Sequence, residues 1–284
     1  PTYTMTTLYV SDLDGTLFGA DSRVSAESEK ILTGLPHDKL FTIATARTPA
    51  TVDLIIPSDV GPHIPAIVIT GAALWERDAK RYTDVKIMDP DAVAVAEDAM
   101  LLCGLAPFTY AIDAPDGMLY AYGRIPEGRP QYEPLTKAER AFVDERSNLP
   151  LKKIYLRSNP GVCPPLLVFG IGNRAQVDKA AAIIQAKVDC SVSVYGDVFN
   201  PDKGFVEVFA PGVSKGAAVL ALKKRLGADR LVVFGDSHND MAMMSVADTA
   251  VAMANATADV KAMATVITGR NTESSVARFI EADK

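Results

Sequence analysis

Two carboxylates stand two residues apart in Ser11-Asp12-Leu13-Asp14-Gly15-Thr16, directly behind the apolar run Leu8-Tyr9-Val10. The run reads as a buried strand, and Asp-Gly as the turn that ends it. In an open α/β sheet, ligands bind at that carboxyl edge. Asp12 would be fixed there by the last strand residue, with Asp14 in the loop just beyond and close to the same reacting atom. The plainer alternative is an Asp-Gly turn in which Asp14 only shapes the loop, and the short motif alone does not separate the two.

Three further stretches bear on the choice. Thr45 follows the apolar run Leu40–Ala44, and Asp236-Ser237-His238-Asn239-Asp240 follows Leu231–Phe234 through Gly235. Lys215 opens a helix that Ser214 can cap. If the sheet is parallel, the three strand ends share one edge and Asp12, Asp14, Asp236 and Asp240 converge. Bare carboxylates so crowded cost several kcal/mol each to desolvate, and a hard divalent cation resolves this. An all-oxygen donor set points to Mg2+. A lysine at a helix start opposes the helix dipole, unless a bound anion attracts both the amides and the ammonium. Thr45 adds a hydroxyl, and Ala46 beside it a backbone N–H, as phosphate donors. Asn239 can orient Lys215 or the phosphate.

The elements that must carry these residues alternate. A helix is expected over Ser25–Leu35, a strand over Leu40–Ala44, a helix from Pro49 and a strand over Ala66–Ile69. This strand–helix alternation argues for a parallel sheet. From about Val85 the pattern changes to half-exposed strands and helices: helix Asp89–Cys103, strands Phe108–Asp113 and Met118–Tyr122, a Pro/Gly-rich loop 125–134, helix Thr136–Ser147, strands Ile154–Arg157 and Leu166–Gly170, and helix Asn173–Val188. The reading is therefore a core domain (1–84 and 191–284) with an α+β domain inserted at 85–190. In the second core segment Phe205–Phe209 reads as an edge or hairpin strand. It is followed by the Lys215 helix ending at Gly227, strand Leu231–Phe234, helix Met241–Val246, short strands Ala250–Met253 and Thr265–Ile267, and helix Thr272–Ala282.

The chain of 284 residues is long enough for a sizeable core. With a net charge of −6 and no basic stretch, it lacks a nucleic-acid footprint. Cys103, Cys163 and Cys190 do not have zinc-ligand spacing and suit a reducing compartment. No signal peptide is expected from Pro1–Val10, and no apolar run approaches a membrane span. A soluble cytoplasmic protein that binds neither membrane nor nucleic acid is the expectation, as a monomer or small homo-oligomer.

The order Asp12-Leu13-Asp14-Gly15-Thr16, Thr45, Lys215 and Gly235-Asp236-x-x-Asn239-Asp240 closely resembles the haloacid dehalogenase-like superfamily. The insertion between Thr45 and Lys215, and the context Val213-Ser214-Lys215-Gly216, are similar to its Cof-type sugar-phosphate phosphatases, which carry a large α/β cap. The resemblance implies a Rossmann-like core and a Mg2+-dependent phosphatase of small phosphorylated metabolites, sugar phosphates foremost. By that implication Asp12 attacks phosphorus and forms an aspartyl-phosphate, and Asp14 serves as acid, then base. Mg2+ is held by the Asp12 carboxylate, the Asp14 backbone carbonyl and Asp236, with Asp240 in support. Thr45, Lys215 and the amides around Leu13 and Asp14 hold the phosphoryl oxygens, and the cap excludes water and selects substrate. Two positions depart from the family pattern: Ala46 replaces the usual glycine of Thr-Gly-Arg, and Thr70-Gly71 replaces Asn-Gly.

A phosphosugar mutase would share the phospho-aspartate but keep its product phosphorylated. A non-catalytic phosphate-sensing module would not need Asp14. For other residues the plainer readings are preferred. His238 is a loop residue beside the metal, Trp75 and Tyr82 are packing, Met241, Met243 and Met244 are helix core, and Lys152, Lys153 and Arg157 form a solvated face. Arg47 pairs with a carboxylate to position its loop.

Overall fold

The computed structural model describes residues 5–61, 63–112, 119–123, 154–155, 164–196, 200 and 202–284. The chain divides into two compact units, Pro1–Asp84 with Ser214–Lys284, and Val85–Val213.

The first unit is built on a five-stranded sheet. Its strands are β1 (Thr7–Ser11), β2 (Lys39–Ile43), β12 (Arg230–Gly235), β13 (Thr249–Ala252) and β14 (Val266–Ile267), in the order β14-β13-β12-β1-β2. Every pairing is parallel, and Ser11 lies level with Ile43 on one side and Phe234 on the other. The ends of β1, β2 and β12 therefore open on one edge. Leu8, Val10, Val232, Val233 and Phe234 are fully buried, as continuous apolar runs in a two-sided sheet require. Each such side chain contributes roughly 1.5–3 kcal/mol.

The third expected strand behaves differently. β3 (Ala66–Val68) is antiparallel to β4 (Ala73–Glu76), which pairs with β5 (Arg81–Thr83) in a separate three-stranded sheet. One parallel bridge, Ala44 to Ile67, ties β3 to the end of β2. Trp75 packs edge-on against Tyr82 at 4.9 Å between ring centres and donates its indole N–H to Asp53, so both aromatics serve packing. Buried Arg77 donates to the carbonyls of Ile56, Pro57 and Val60, tying down the end of helix Pro49–Ile55 and the loop behind it.

The second unit holds a six-stranded sheet in the order β10-β11-β9-β6-β7-β8. These strands are β6 (Phe108–Ile112), β7 (Leu119–Gly123), β8 (Ile154–Tyr155), β9 (Pro165–Asn173), β10 (Ser191–Gly196) and β11 (Lys203–Phe209). Helix Pro90–Leu102 starts at an Asp89 cap, and helix Arg174–Lys187 at an Asn173–Gln176 capping box. The loop 125–134, helix Thr136–Ser147, Lys152, Lys153, Arg157 and Cys163 lie outside the described residues.

Sequence reading ends the insertion at 190 and assigns 205–209 to the core, as an edge or hairpin strand. The ladder corrects both. β11 is an interior strand of the second sheet, antiparallel to β9 and β10, and the chain returns to the first unit at Ser214. Alternation along Phe205-Val206-Glu207-Val208-Phe209 reads the same at an edge as inside an antiparallel sheet, so it could not fix the neighbour. No helix among the described residues is long and apolar enough to cross a membrane.

Candidate active site

The loop after β1 carries the first pair. Asp12 is extended, and Leu13–Leu17 form a single wide turn closed by Leu17 N–H to Asp12 O and Phe18 N–H to Leu13 O. The amides at the start of this turn, Leu13 and Asp14, have no acceptor within it. Gly15 sits at φ 77°, and a Cβ there would overlap the Asp236 carboxylate. Glycine thus supplies both the left-handed backbone and the close approach.

The two aspartates then part company. Asp12 is buried, and its Oδ1 accepts from Lys215 Nζ at 2.6 Å. Asp12 Oδ2 has no hydrogen-bond partner among the described residues. Asp14 is exposed, and its carboxylate is gripped at both oxygens by Arg47, from Nε at 2.8 Å and Nη2 at 2.7 Å. Arg47 therefore has its carboxylate partner, and that partner is Asp14.

Lys215 is delivered by helix Lys215–Leu226. Ser214 caps this helix, accepting from Ala217 N–H, and Gly227 ends it at φ 65°. Its ammonium is fully buried and also donates to Asp240 Oδ1 at 2.8 Å. Asp240 Oδ2 accepts from the amides of Asp236 and Ser237 at 3.0 and 3.2 Å. Both Asp240 oxygens are thus engaged, which fixes the loop after β12. Asp236 Oδ1 accepts from Thr16 Oγ1 at 3.0 Å.

Carboxylate oxygens of Asp12, Asp236 and Asp240 lie within 4.8 Å of one another. Three acids face one ammonium. Burial, then Asp240, push the Asp12 carboxyl well above the usual carboxylate range against the pull of Lys215. Burial and Asp240 likewise raise Asp236 to about 6, opposed by Thr16. Burial alone would lower the Lys215 ammonium, but Asp12 and Asp240 more than reverse this and raise it. The two carboxyls rise chiefly because they are buried and further because acids crowd them, whereas Lys215 rises because two of those acids surround it. The donors are all oxygen, so the cluster could hold a hard metal ion. The Asp14 carboxylate stands outside this cluster.

The loop after β2 adds polar groups. Thr45 is buried, its N–H donates to Ile67 O, and its hydroxyl oxygen accepts from Arg47 N–H at 3.0 Å. Ala46 keeps a negative φ, and its N–H has no protein acceptor among the described residues, so the departure from glycine costs this backbone nothing. Thr70 sits at φ 58° between Ile69 at 52° and Gly71 at 96°. This is a left-handed run that a β-branched residue adopts only under strain. Thr70 N–H and Ile69 N–H donate to Thr45 O and Arg47 O and so brace the Thr45 loop.

Asn239 corrects the sequence reading. It is exposed, and its side-chain oxygen accepts from Ser237 Oγ at 2.5 Å, so it does not orient Lys215. The two carboxylates fill that place. His238 is exposed and faces Asp259 at 3.3 Å. Sequence reasoning missed Asn255, whose Nδ2 donates to Gly15 O at 2.8 Å. It sits in a loop with no motif the reading used.

A family model described as haloacid dehalogenase-like hydrolase matches residues 9–280. Pyridoxal phosphate phosphatase YbhA of Escherichia coli (strain K12) is 40% identical over 77 residues, 26% of this chain and 28% of that protein. That match and those to two further phosphatases cover only about a third or less of those proteins' own length. 5-Amino-6-(5-phospho-D-ribitylamino)uracil phosphatase YwtE of Bacillus subtilis (strain 168) is 26% identical over 283 residues, 95% of each chain. A haloacid dehalogenase-like hydrolase structure from Bacteroides thetaiotaomicron shares the fold, with a TM-score of 0.71 at 21% identity over 97% of this chain and 98% of that one.

Proposed function

The chain belongs to the haloacid dehalogenase-like hydrolases, and from that premise we propose that it is a phosphatase of small phosphorylated metabolites, sugar and sugar-alcohol phosphates foremost. The observation that carries the reading is the pairing at Asp12, one oxygen held by a buried lysine and the other without a hydrogen-bond partner among the described residues. That is how a carboxylate nucleophile is aimed. Similarity to phosphatases of pyridoxal phosphate and of a ribityl phosphate supports the substrate class.

Asp12 Oδ2 attacks phosphorus in line and forms an aspartyl-phosphate. Lys215 keeps Asp12 oriented and offers its charge to the phosphoryl oxygens. Thr45 Oγ1 and the N–H groups of Leu13, Asp14 and Ala46 supply donors to the same oxygens, a positioning and charge-stabilising task. Asn239 could add a donor only from the rim. Asp14 delivers the proton to the leaving oxygen and later takes one from water. Its carboxylate must first exchange the Arg47 guanidinium for that oxygen, so Arg47 holds the acid at the rim between turnovers. Asp12, Asp236 and the Asp14 carbonyl would hold Mg2+, with Asp240 fixing the loop that carries Asp236. When bound, the ion would offset charge between nucleophile and phosphate.

Phosphate release from an aryl phosphate and a panel of phosphosugars, with and without Mg2+, tests the reading. Turnover by wild type that matches Asp12→Asn under every condition would refute it. Product that stays phosphorylated would favour the mutase reading.

A further inference from the structure

Behind the loop that carries Asp12 and Asp14 lies a short relay of two amide side chains. Asn255 donates from Nδ2 to Gly15 O at 2.8 Å, and its Oδ1 accepts from Asn271 N–H at 3.0 Å. Asn271 in turn donates from Nδ2 to Phe18 O at 2.8 Å. The relay thus grips the turn at its middle and just past its end, at the carbonyls of Gly15 and Phe18. The Gly15 peptide is the sensitive one. Gly15 packs on the Asp236 carboxylate, and the next residue, Thr16, donates to Asp236 Oδ1. The segment bearing Asn255 is itself registered on the same loop, since Met253 N–H donates to Gly235 O and Thr257 N–H to Asp236 O. Asn255 therefore bridges the Asp14–Thr16 turn and the Asp236 loop, whose spacing sets the distance between the Asp12 and Asp236 carboxylates.

We infer that Asn255, backed by Asn271, is a positioning residue that sets the geometry of the acidic cluster toward a divalent cation. The inference rests on the phosphatase reading above, because it concerns the same cluster. Among the described residues neither side chain hydrogen-bonds to the carboxylates or to the Thr45 and Lys215 donors, so the relay acts through the backbone of the turn, at Gly15 O and Phe18 O. Groups that orient a ligating set in this way are worth about 10–100-fold in metal affinity.

The test is a Mg2+ titration of the full chain, followed by thermal denaturation without substrate and by steady-state kinetics. Asn255→Asp keeps the acceptor for Asn271 N–H but replaces the donor to Gly15 O with an oxygen. It is expected to weaken the apparent Mg2+ affinity by about tenfold and to lower kcat, with KM nearly unchanged. Asn271→Asp removes the donor to Phe18 O, keeps Asn255 in place, and is expected to shift affinity in the same direction by less. Tyr9→Phe loses the distant bond to Asp283 and serves as the control for general destabilisation. A wild-type Mg2+ response in both relay variants would overturn the inference, as would an equal loss in Tyr9→Phe. Should the wild-type chain itself not respond to Mg2+, the metal reading fails and the inference goes with it.

Discussion

Asp12 and Asp14 are the same residue type two positions apart, yet they live in opposite surroundings. Asp12 lies on the floor of the site, buried, beside a lysine with no exposed surface and among two other acids. Asp14 lies on the rim, about half exposed, paired with a partly exposed arginine. A floor charge cannot be relieved by water, so its partners decide its state. A rim charge has water as a ready substitute, and its ion pair is correspondingly weak. One group is thereby fixed and the other is exchangeable. That is the division a nucleophile and a shuttling acid need.

The sharpest way to break this contrast is at the floor. Asp12→Asn should bring phosphate release down to background while the fold survives, because Lys215 keeps Asp240 as a partner. Residual turnover near wild type would show that the floor carboxylate is not the nucleophile. Lys215→Met should cost about 3–5 kcal/mol in urea denaturation of the metal-free chain, since it strands two buried carboxylates. A loss below about 1 kcal/mol would mean that the floor is wetter than its burial indicates.

Proton and metal should compete on the floor. Asp236 binds its proton more tightly folded than unfolded, being raised from 3.8 to about 6. Its contribution to metal-free stability is therefore unfavourable above pH 6 and fades as pH falls from about 6 toward 4. Asp12 moves in the same sense. A divalent ion needs both groups ionised, so the rise in Tm caused by Mg2+ should be small near pH 5 and grow through pH 6 to 7. A response independent of pH over this interval would separate the metal site from Asp236.

At the rim the expected effects are smaller. Arg47→Ala should change stability by less than about 1 kcal/mol, as an exposed pair does. It should lower kcat by about tenfold, a fraction of the 10²–10⁴ that acid–base catalysis provides. A large loss of stability with unchanged kcat would reverse the assignment of floor and rim.

Much of the floor was legible in the chain. Continuous apolar runs before Asp12 and Asp236 announce buried parallel strands, and Ser214 with Gly227 brackets the Lys215 helix. Its partners were not legible. Asp12 and Lys215 are 203 residues apart, and nothing in either neighbourhood says that two acids will share the ammonium that a phosphate was expected to meet. The β4–β5 hairpin escaped because its strands have only four and three residues and carry Glu76 and Arg81. The second sheet's claim on Ser191–Gly196 and Lys203–Phe209 escaped because periodicity names a face and not a neighbour. Asn255 escaped because its contact is to a backbone carbonyl, which leaves no trace in side-chain pattern.

Position 216, next to the buried lysine, has a consequence of its own. A Cβ on Gly216 would collide with the carbonyl of Ala242 in the neighbouring helix Met241–Met244. Any larger residue there must lever the two helices apart, and the lysine rides on the lever. Gly216→Ala should therefore behave as a lesion of catalysis although it meets no substrate. A survey of tolerated substitutions would find a residue with no chemistry guarded as closely as Asp12.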